Sequence, residues 1–304
     1  MSTTSPTDAT SASLATAKER SAARRMWAVA SSYTQFRIGL TIFVILAIVT
    51  IVWPLLSSAS ATKLMIADRA MPPIFLGGRW DHILGTDQLG RDLLLRSLIG
   101  LQNSIAIALA AVILMFVIGS VIGMIAGFFG GWLDIILMRL TDAQLSIPLI
   151  ILAITILTVS RPTPAGVILV LALSGWPTYS RVTRSITLSE RRKEYVRGAQ
   201  ILGASSFRIM LLMAQLILPP IAFVAVLDVA RMMIYEAILG FIGIGVQPPI
   251  PSFGNVMADG RKYLINAWWI ATMPGVLLFT SLLSINLMGA SLERARNRLY
   301  KGTI

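Results

Sequence analysis

No cysteine occurs in this chain, and it has one histidine, His82. Without thiols, disulfides, thiolate metal sites and cysteine nucleophiles are excluded. A lone imidazole with no further donor at useful spacing does not complete a metal site, which needs several convergent ligands. It belongs to no nucleophile–base pairing either, because the serines are scattered through apolar stretches. Charge is the second scarcity. Only 13% of the 304 residues are Asp, Glu, Lys or Arg, about half the ~25% of an ordinary soluble domain. A soluble fold with so thin a polar coat would aggregate. These absences point away from an enzyme with its own catalytic cluster or cofactor and toward a chain whose solvent is a bilayer.

What is present agrees. Hydrophobic residues make up 56% of the chain, and the mean hydropathy is +0.76. Charge-free stretches run over residues 38–62, 97–133, 143–160, 162–180, 209–227, 237–258 and 263–292. A helical span needs about 20 mostly apolar residues, and 209–227 with 237–258 reads as one long or broken helix and its exit. The expected fold is all-α, with six transmembrane helices near 37–56, 103–129, 135–159, 164–182, 214–241 and 268–290. Pro148, Pro177, Pro219, Pro220 and Pro274 break or kink spans, which a helix lining a cavity tolerates.

A net charge of +12 first suggests nucleic acid. Here the basic residues form short runs between apolar stretches, not a stripe interleaved with aromatics, so no nucleic-acid partner is expected. Lys and Arg instead mark the cytoplasmic side of a membrane protein. With the N-terminus inside, 17 of them (including Arg37, Arg139, Arg181, Arg184, Arg191 and Arg208) fall on the cytoplasmic side. Against these, 8 fall outside (Lys63, Arg69, Arg79, Arg91, Arg96, Arg161, Arg261 and Lys262). Both termini are therefore expected in the cytoplasm.

The chain then divides into five parts. Residues 1–35 form a disordered cytoplasmic tail, rich in Ser, Thr and Ala with Lys18, Arg20, Arg24 and Arg25; a transit peptide has a similar composition. Residues 36–57 form the first span. Residues 58–102 form an external loop with an amphipathic segment, whose Leu89, Leu93 and Leu94 turn to the apolar side. Residues 103–290 form a five-helix core including a cytoplasmic loop at 183–213, and 291–304 a cytoplasmic tail.

That cytoplasmic loop carries the strongest local signal. Tyr195, Ala199 and Leu202 recur at i, i+4 and i+7, giving one apolar helical face, with Arg191, Arg192, Lys193 and Arg197 beside it. Gly203 follows, able to end a helix in the left-handed conformation, and then Ser205 and Ser206, either of which can cap a second helix. A helix–turn–helix knob suited to a groove on a partner is expected, and an ordinary surface connector is the plainer alternative.

Other features read as packing or charge balance. Gly119, Gly123, Gly127 and Gly131 fall on one helical stripe, where small residues let helices approach closely in lipid; so smooth a stripe could also permit sliding. Asp228 and Arg231 sit at i, i+3 and can neutralise one another. Glu236 and Asp142 have no such local partner. They are candidates for the translocation path, although residues near span ends or bonded to neighbouring helices would look the same. Gly85 and Gly90 have the spacing of a phosphate loop, but the Lys and Ser/Thr such a loop needs are absent, and Asp92 would repel phosphate.

Several of these stretches together resemble a known family. Glu194-Tyr195-Val196-Arg197-Gly198-Ala199 through Gly203-Ala204-Ser205 looks like the EAA coupling loop of binding-protein-dependent ABC permeases. Residues His82 to Asp92, Gly127 to Asp134, Met138 to Asp142 and Phe241 to Pro249 are similar to motifs of the dipeptide/oligopeptide/nickel importers. So are Asp259-Gly260-Arg261, Ala267-Trp268-Trp269 and Pro274-Gly275. From about residue 80 to 290 they keep the order of the family's C-type permease. The resemblance implies the type I permease fold and a heterodimer with a second permease in the bacterial inner membrane. It further implies two ATPase subunits seated on the coupling loops, and an external solute-binding protein. ATP hydrolysis would belong to the partners. The chain departs from the family pattern at Arg197 (usually Glu), Gly198 (usually Ala), Ala290 (usually Asp), and in the stretch Leu212 to Ile217. A carrier or channel acting without ATPases is the rival, but it usually shows an inverted repeat and paired broken helices, and no repeat is visible between the halves.

Overall fold

The computed structural model describes residues 26–57, 61–160 and 162–301. Lys18, Arg20, Arg24, Arg25 and Arg161 lie outside the described residues. Among the described residues the chain is helical without a strand, and its one β contact is the isolated bridge between Thr86 and Asp92. The main helices among the described residues are, in order, α1 Thr34–Leu56, α2 Leu93–Phe129, α3 Gly131–Leu145, α4 Leu149–Ser160, α5 Pro164–Glu190, α6 Glu194–Ile201, α7 Ser206–Ile242, α8 Phe253–Gly260 and α9 Trp269–Lys301. A short helical segment at 26–32 precedes α1.

Helix α2 is the centre. Its 37 residues pack against α5 on one side and α7 on the other, and most of the apolar core comes from these three helices, including Ala108, Met115, Leu171, Tyr179, Met213 and Met233. Helix α1 lies at the periphery against α9, where Gly39 sits on the Ser284 carbonyl and the Leu287 side chain. Its outward face, including Ile45, Ile48, Ile51 and Leu55, is exposed, as a lipid-facing helix requires.

By length and composition, α1, α2 and α9 each qualify as a membrane span; counting each bent pair as one span gives up to five. Helix α5 has the length, 27 residues, but Arg181 and Arg184 interrupt its apolar run.

Two expected spans are bent where proline falls. The stretch read as 135–159 is two helices, α3 and α4, at 86°. Pro148 lacks an N–H and disfavours helical geometry at Ile147, so α3 ends at Leu145 and the Ser146 N–H closes it onto the Asp142 and Ala143 carbonyls. Helix α7 bends by 51° just after Pro219-Pro220. There the Pro220 carbonyl accepts a hydrogen bond of 3.1 Å from Arg296 of α9.

Other boundaries move as well. Helix α2 begins at Leu93, ten residues before the expected start, because its N-cap Asp92 accepts from the Leu95 N–H at 2.7 Å and Arg96 is buried by ion pairs instead of ending the helix. A disordered tail to residue 35 also gives way before its end. Residues 26–32 are helical, and Ala30 and Phe36 are buried against Ala295 of α9.

Candidate functional site

Four groups of residues carry the functional reading, and the expected knob is the first. Helix α6 ends in a Schellman motif: the Gly203 N–H donates to the Gln200 carbonyl at 3.0 Å, and the Ala204 N–H to the Ala199 carbonyl at 3.0 Å. Gly203 has φ +77°, the left-handed region that a Cβ penalises. Two residues on, the Ser205 side chain accepts from the Arg208 N–H and opens α7. Tyr195 and Ala199 pack inward as their spacing suggests, beside the fully buried Val196. Leu202 does not. It is 87% exposed, next to Ile201 at 86% and with Phe207 at 75% beyond the turn. Leu202 is the helix C-cap, so it leaves the inward face.

Glu194 and Arg197 are exposed and Gly198 half-buried, so the knob presents apolar side chains ringed by charge. Tyr195 ties it to the bundle through a 3.0 Å hydrogen bond to Glu190. Burial, reinforced by that bond, pushes the phenol up to about 12, which keeps it a donor at neutral pH.

The second group is the glycine stripe. Gly119, Gly123 and Gly127 lie directly on α5. A Cβ on Gly119 would collide with the Trp176 carbonyl, one on Gly123 with the Ser180 carbonyl, and one on Gly127 would sit 2.8 Å from the Thr187 Cβ. Gly131 does not belong to this contact. Gly130 ends α2, both glycines have positive φ, and space around Gly131 is open. The four-residue spacing ran past the end of the helix it described.

The third group is the charges within the helices. Asp142 pairs at 2.7 Å with Arg181 of α5, and both side chains are about half exposed. Asp134, eight residues before it, holds Arg184 in two hydrogen bonds of 2.5 and 2.6 Å. Glu236 is fully buried and accepts from the Ser104 hydroxyl at 2.6 Å. Its neighbourhood is tight: Gly240 and Gly254 bring α7 and α8 into backbone contact, and Ser252 with Asn255 forms a capping box at the start of α8. Glu236 therefore faces an intrachain junction of α2, α7 and α8. Asp228 and Arg231 form the expected pair at 2.8 Å, and the Tyr179 hydroxyl also donates to Asp228, at 2.5 Å.

The fourth group was marked in the sequence only as separate motifs, with no sign that they pair. The loop before α2 folds into a knot. His82 Nδ1 lies 2.8 Å from Asp92, giving that histidine a structural partner. Asp87 binds Arg91 at 2.6 Å and Arg96 at 3.3 Å, and both guanidiniums reach Asp259 of α8 at 3.1 Å. Leu93 is buried with Val256, Trp269 and Ile270, whereas Leu89 is 38% exposed. The loop is thus a folded clasp onto α8, not an amphipathic segment lying on a surface. Partners 163 and 168 residues apart leave no local signal.

A bundle of long helices with exposed apolar flanks defines a helical protein suited to a membrane. The chain belongs to the family of binding-protein-dependent transport system inner membrane components, which matches residues 119–298. It is similar to the di/tripeptide transport system permease protein DppC of Pseudomonas aeruginosa, 36% identical over 229 residues, 74% of this chain and 75% of the relative. The dipeptide transport system permease protein DppC of Haemophilus influenzae is 33% identical over 263 residues, 85% of this chain and 88% of the relative. A probable D,D-dipeptide transport system permease, DdpC of Escherichia coli, is 33% identical over 249 residues, 82% of each. Among solved structures, the MetNI methionine ABC transporter in an inward facing conformation is similar in fold, with TM-score 0.53 and 20% identity over 64% of this chain and 94% of that one.

Proposed function

We propose that this chain is a permease subunit of an ATP-binding-cassette importer that carries peptides or similar small solutes across the bacterial inner membrane. Six spans are formed by α1, α2, the α3–α4 elbow, α5, α7 and α9, with both termini cytoplasmic. The knob at Gly203 docks an ATPase subunit. A second permease completes the pore, two ATPases supply the energy, and an external binding protein delivers the solute. The chain itself has no part in hydrolysis.

One observation carries the docking role: Ile201, Leu202 and Phe207 stand almost fully exposed on a rigidly capped turn. Large side chains on a well-defined, protruding turn are the anchors that seat in a partner's groove. The peptide reading rests on the similarity to dipeptide transport permeases, of which the chain covers 82–88%.

Mild-detergent purification of the chain from its native membranes, with identification of everything that co-purifies, tests the reading. Recovery of two ATPases and a second permease is expected. Recovery of the chain alone, under conditions that hold known importers together, would move the assignment to a carrier without ATPases.

A further inference from the structure

Arg231 is a charged side chain of α7 that neither the core packing nor the proposed docking uses. It lies 12 residues before Gly243, so about 18 Å along the helix from its outer end at 1.5 Å per residue, well inside the bilayer. Its side chain is nevertheless 43% exposed, whereas that of its partner Asp228 is 9% exposed. The face around it is apolar: Val224, Ile234 and Ile238 are each about 40% exposed and fall at helical spacing with Arg231. Further out on this face, Arg261 stacks over the Phe241 ring at 5.8 Å. A guanidinium facing hydrocarbon is costly, and ionisable residues within a membrane face a bundle interior or a water-filled path.

The geometry points to a solute path along this face of α7, with Arg231 as the group that engages the carboxylate of a passing solute. This deepens the importer reading and rests on it. Asp228 is clamped by Tyr179 from α5 and neutralises Arg231 within the chain, so no fixed acid from a partner is needed for charge balance. Arg231 still has N–H donors beyond the one that meets Asp228, since a guanidinium carries five. A neutral pair with donors to spare binds an anionic group weakly. Passage requires such weakness, because a path must admit its solute and let it leave.

The absence of cysteine gives a clean test in the assembled importer. Arg231→Cys and Ile238→Cys, each the only thiol in this chain, are labelled with water-soluble methanethiosulfonates bearing either a sulfonate or a trimethylammonium group. Both positions should react. Replacing Arg231 by Gln should lower the ratio of anionic to cationic reagent at Ile238→Cys about fourfold, the effect of one charge about 10 Å away in water-like surroundings. Arg231→Gln leaves Asp228 unopposed, so the preference should turn toward the cationic reagent, and Arg231→Lys should keep the ratio of the intact chain. No reaction at either position would overturn the proposal, because the face would then be dry against lipid or a partner. So would a ratio that Arg231→Gln leaves unchanged. Co-purification of the ATPases is scored separately, so a failure of the importer reading is told apart from a failure of the path.

Discussion

The Asp87 clasp and the Gly203 knob are built from similar materials, charge and apolar side chains on short irregular segments, yet they end up in opposite states. At the clasp, Asp87, Arg91, Arg96 and Asp259 pair with one another, and Asp87 and Arg96 are almost wholly buried. At the knob, Arg197 and Glu194 are exposed and the largest apolar side chains project into open space. One region is complete within the chain; the other leaves large apolar side chains uncovered. The difference separates residues that hold the fold from those that the proposed docking would use.

Substitutions at each end sharpen that contrast. The largest effect is expected at the knob. Gly203→Pro places a residue fixed near φ −65° where the chain has φ +77° and deletes the N–H that closes the Schellman motif. ATP-coupled uptake into vesicles should be abolished while the chain still inserts in the membrane; normal uptake would remove the knob from the coupling route.

At the clasp the loss should be one of stability. Asp87→Ala leaves two buried guanidiniums sharing Asp259 alone, and removing one member of a buried ion pair costs about 3–5 kcal/mol. Thermal unfolding in detergent should show a large drop, and uptake should fall only as far as folded protein does. A smaller penalty is expected where the helices meet. Gly123→Leu overpacks the contact with α5 by about 1–3 kcal/mol, whereas the same change at Gly131, in open space, meets only backbone strain. Equal effects at the two glycines would refute the division of the stripe. The smallest effect belongs to Asp142→Ala. Its bond to Arg181 is as short as many at the clasp, but both partners are half exposed, and such pairs contribute about 0.2–1 kcal/mol. A clasp-sized loss there would show that Asp142 does more than pair.

The same contrast explains what could be read from the sequence. The knob was legible because each of its parts is local: a four-residue spacing, a turn glycine and a capping serine within a dozen residues. The prolines marked the breaks at 148 and 219–220 for the same reason, although the 86° angle depends on what α3 and α4 pack against. The clasp was not legible, because Arg96 and Asp259 are brought together only by the fold. Arg96 looked like the end of an apolar stretch and is in fact buried early in α2. Glu236 was open in the same way. Without a local partner it fitted either a path residue or one bonded to a neighbouring helix, and Ser104, 132 residues away, bonds one of its oxygens. Arg231 shows the converse, since its neutralising Asp228 was plain in the sequence while its exposure was not.

The contact of Gly119, Gly123 and Gly127 with α5 has a mechanical consequence. The stripe looks smooth in sequence, but each glycine is a notch holding backbone or Cβ atoms of Trp176, Tyr179, Ser180, Thr183 and Thr187. Notches at that repeat act as a detent. A short slip would drive Cβ atoms into the ridges between notches, and the next register with glycine opposite lies a full step of about 6 Å away, four residues at 1.5 Å each. The α2–α5 pair is therefore held in one register.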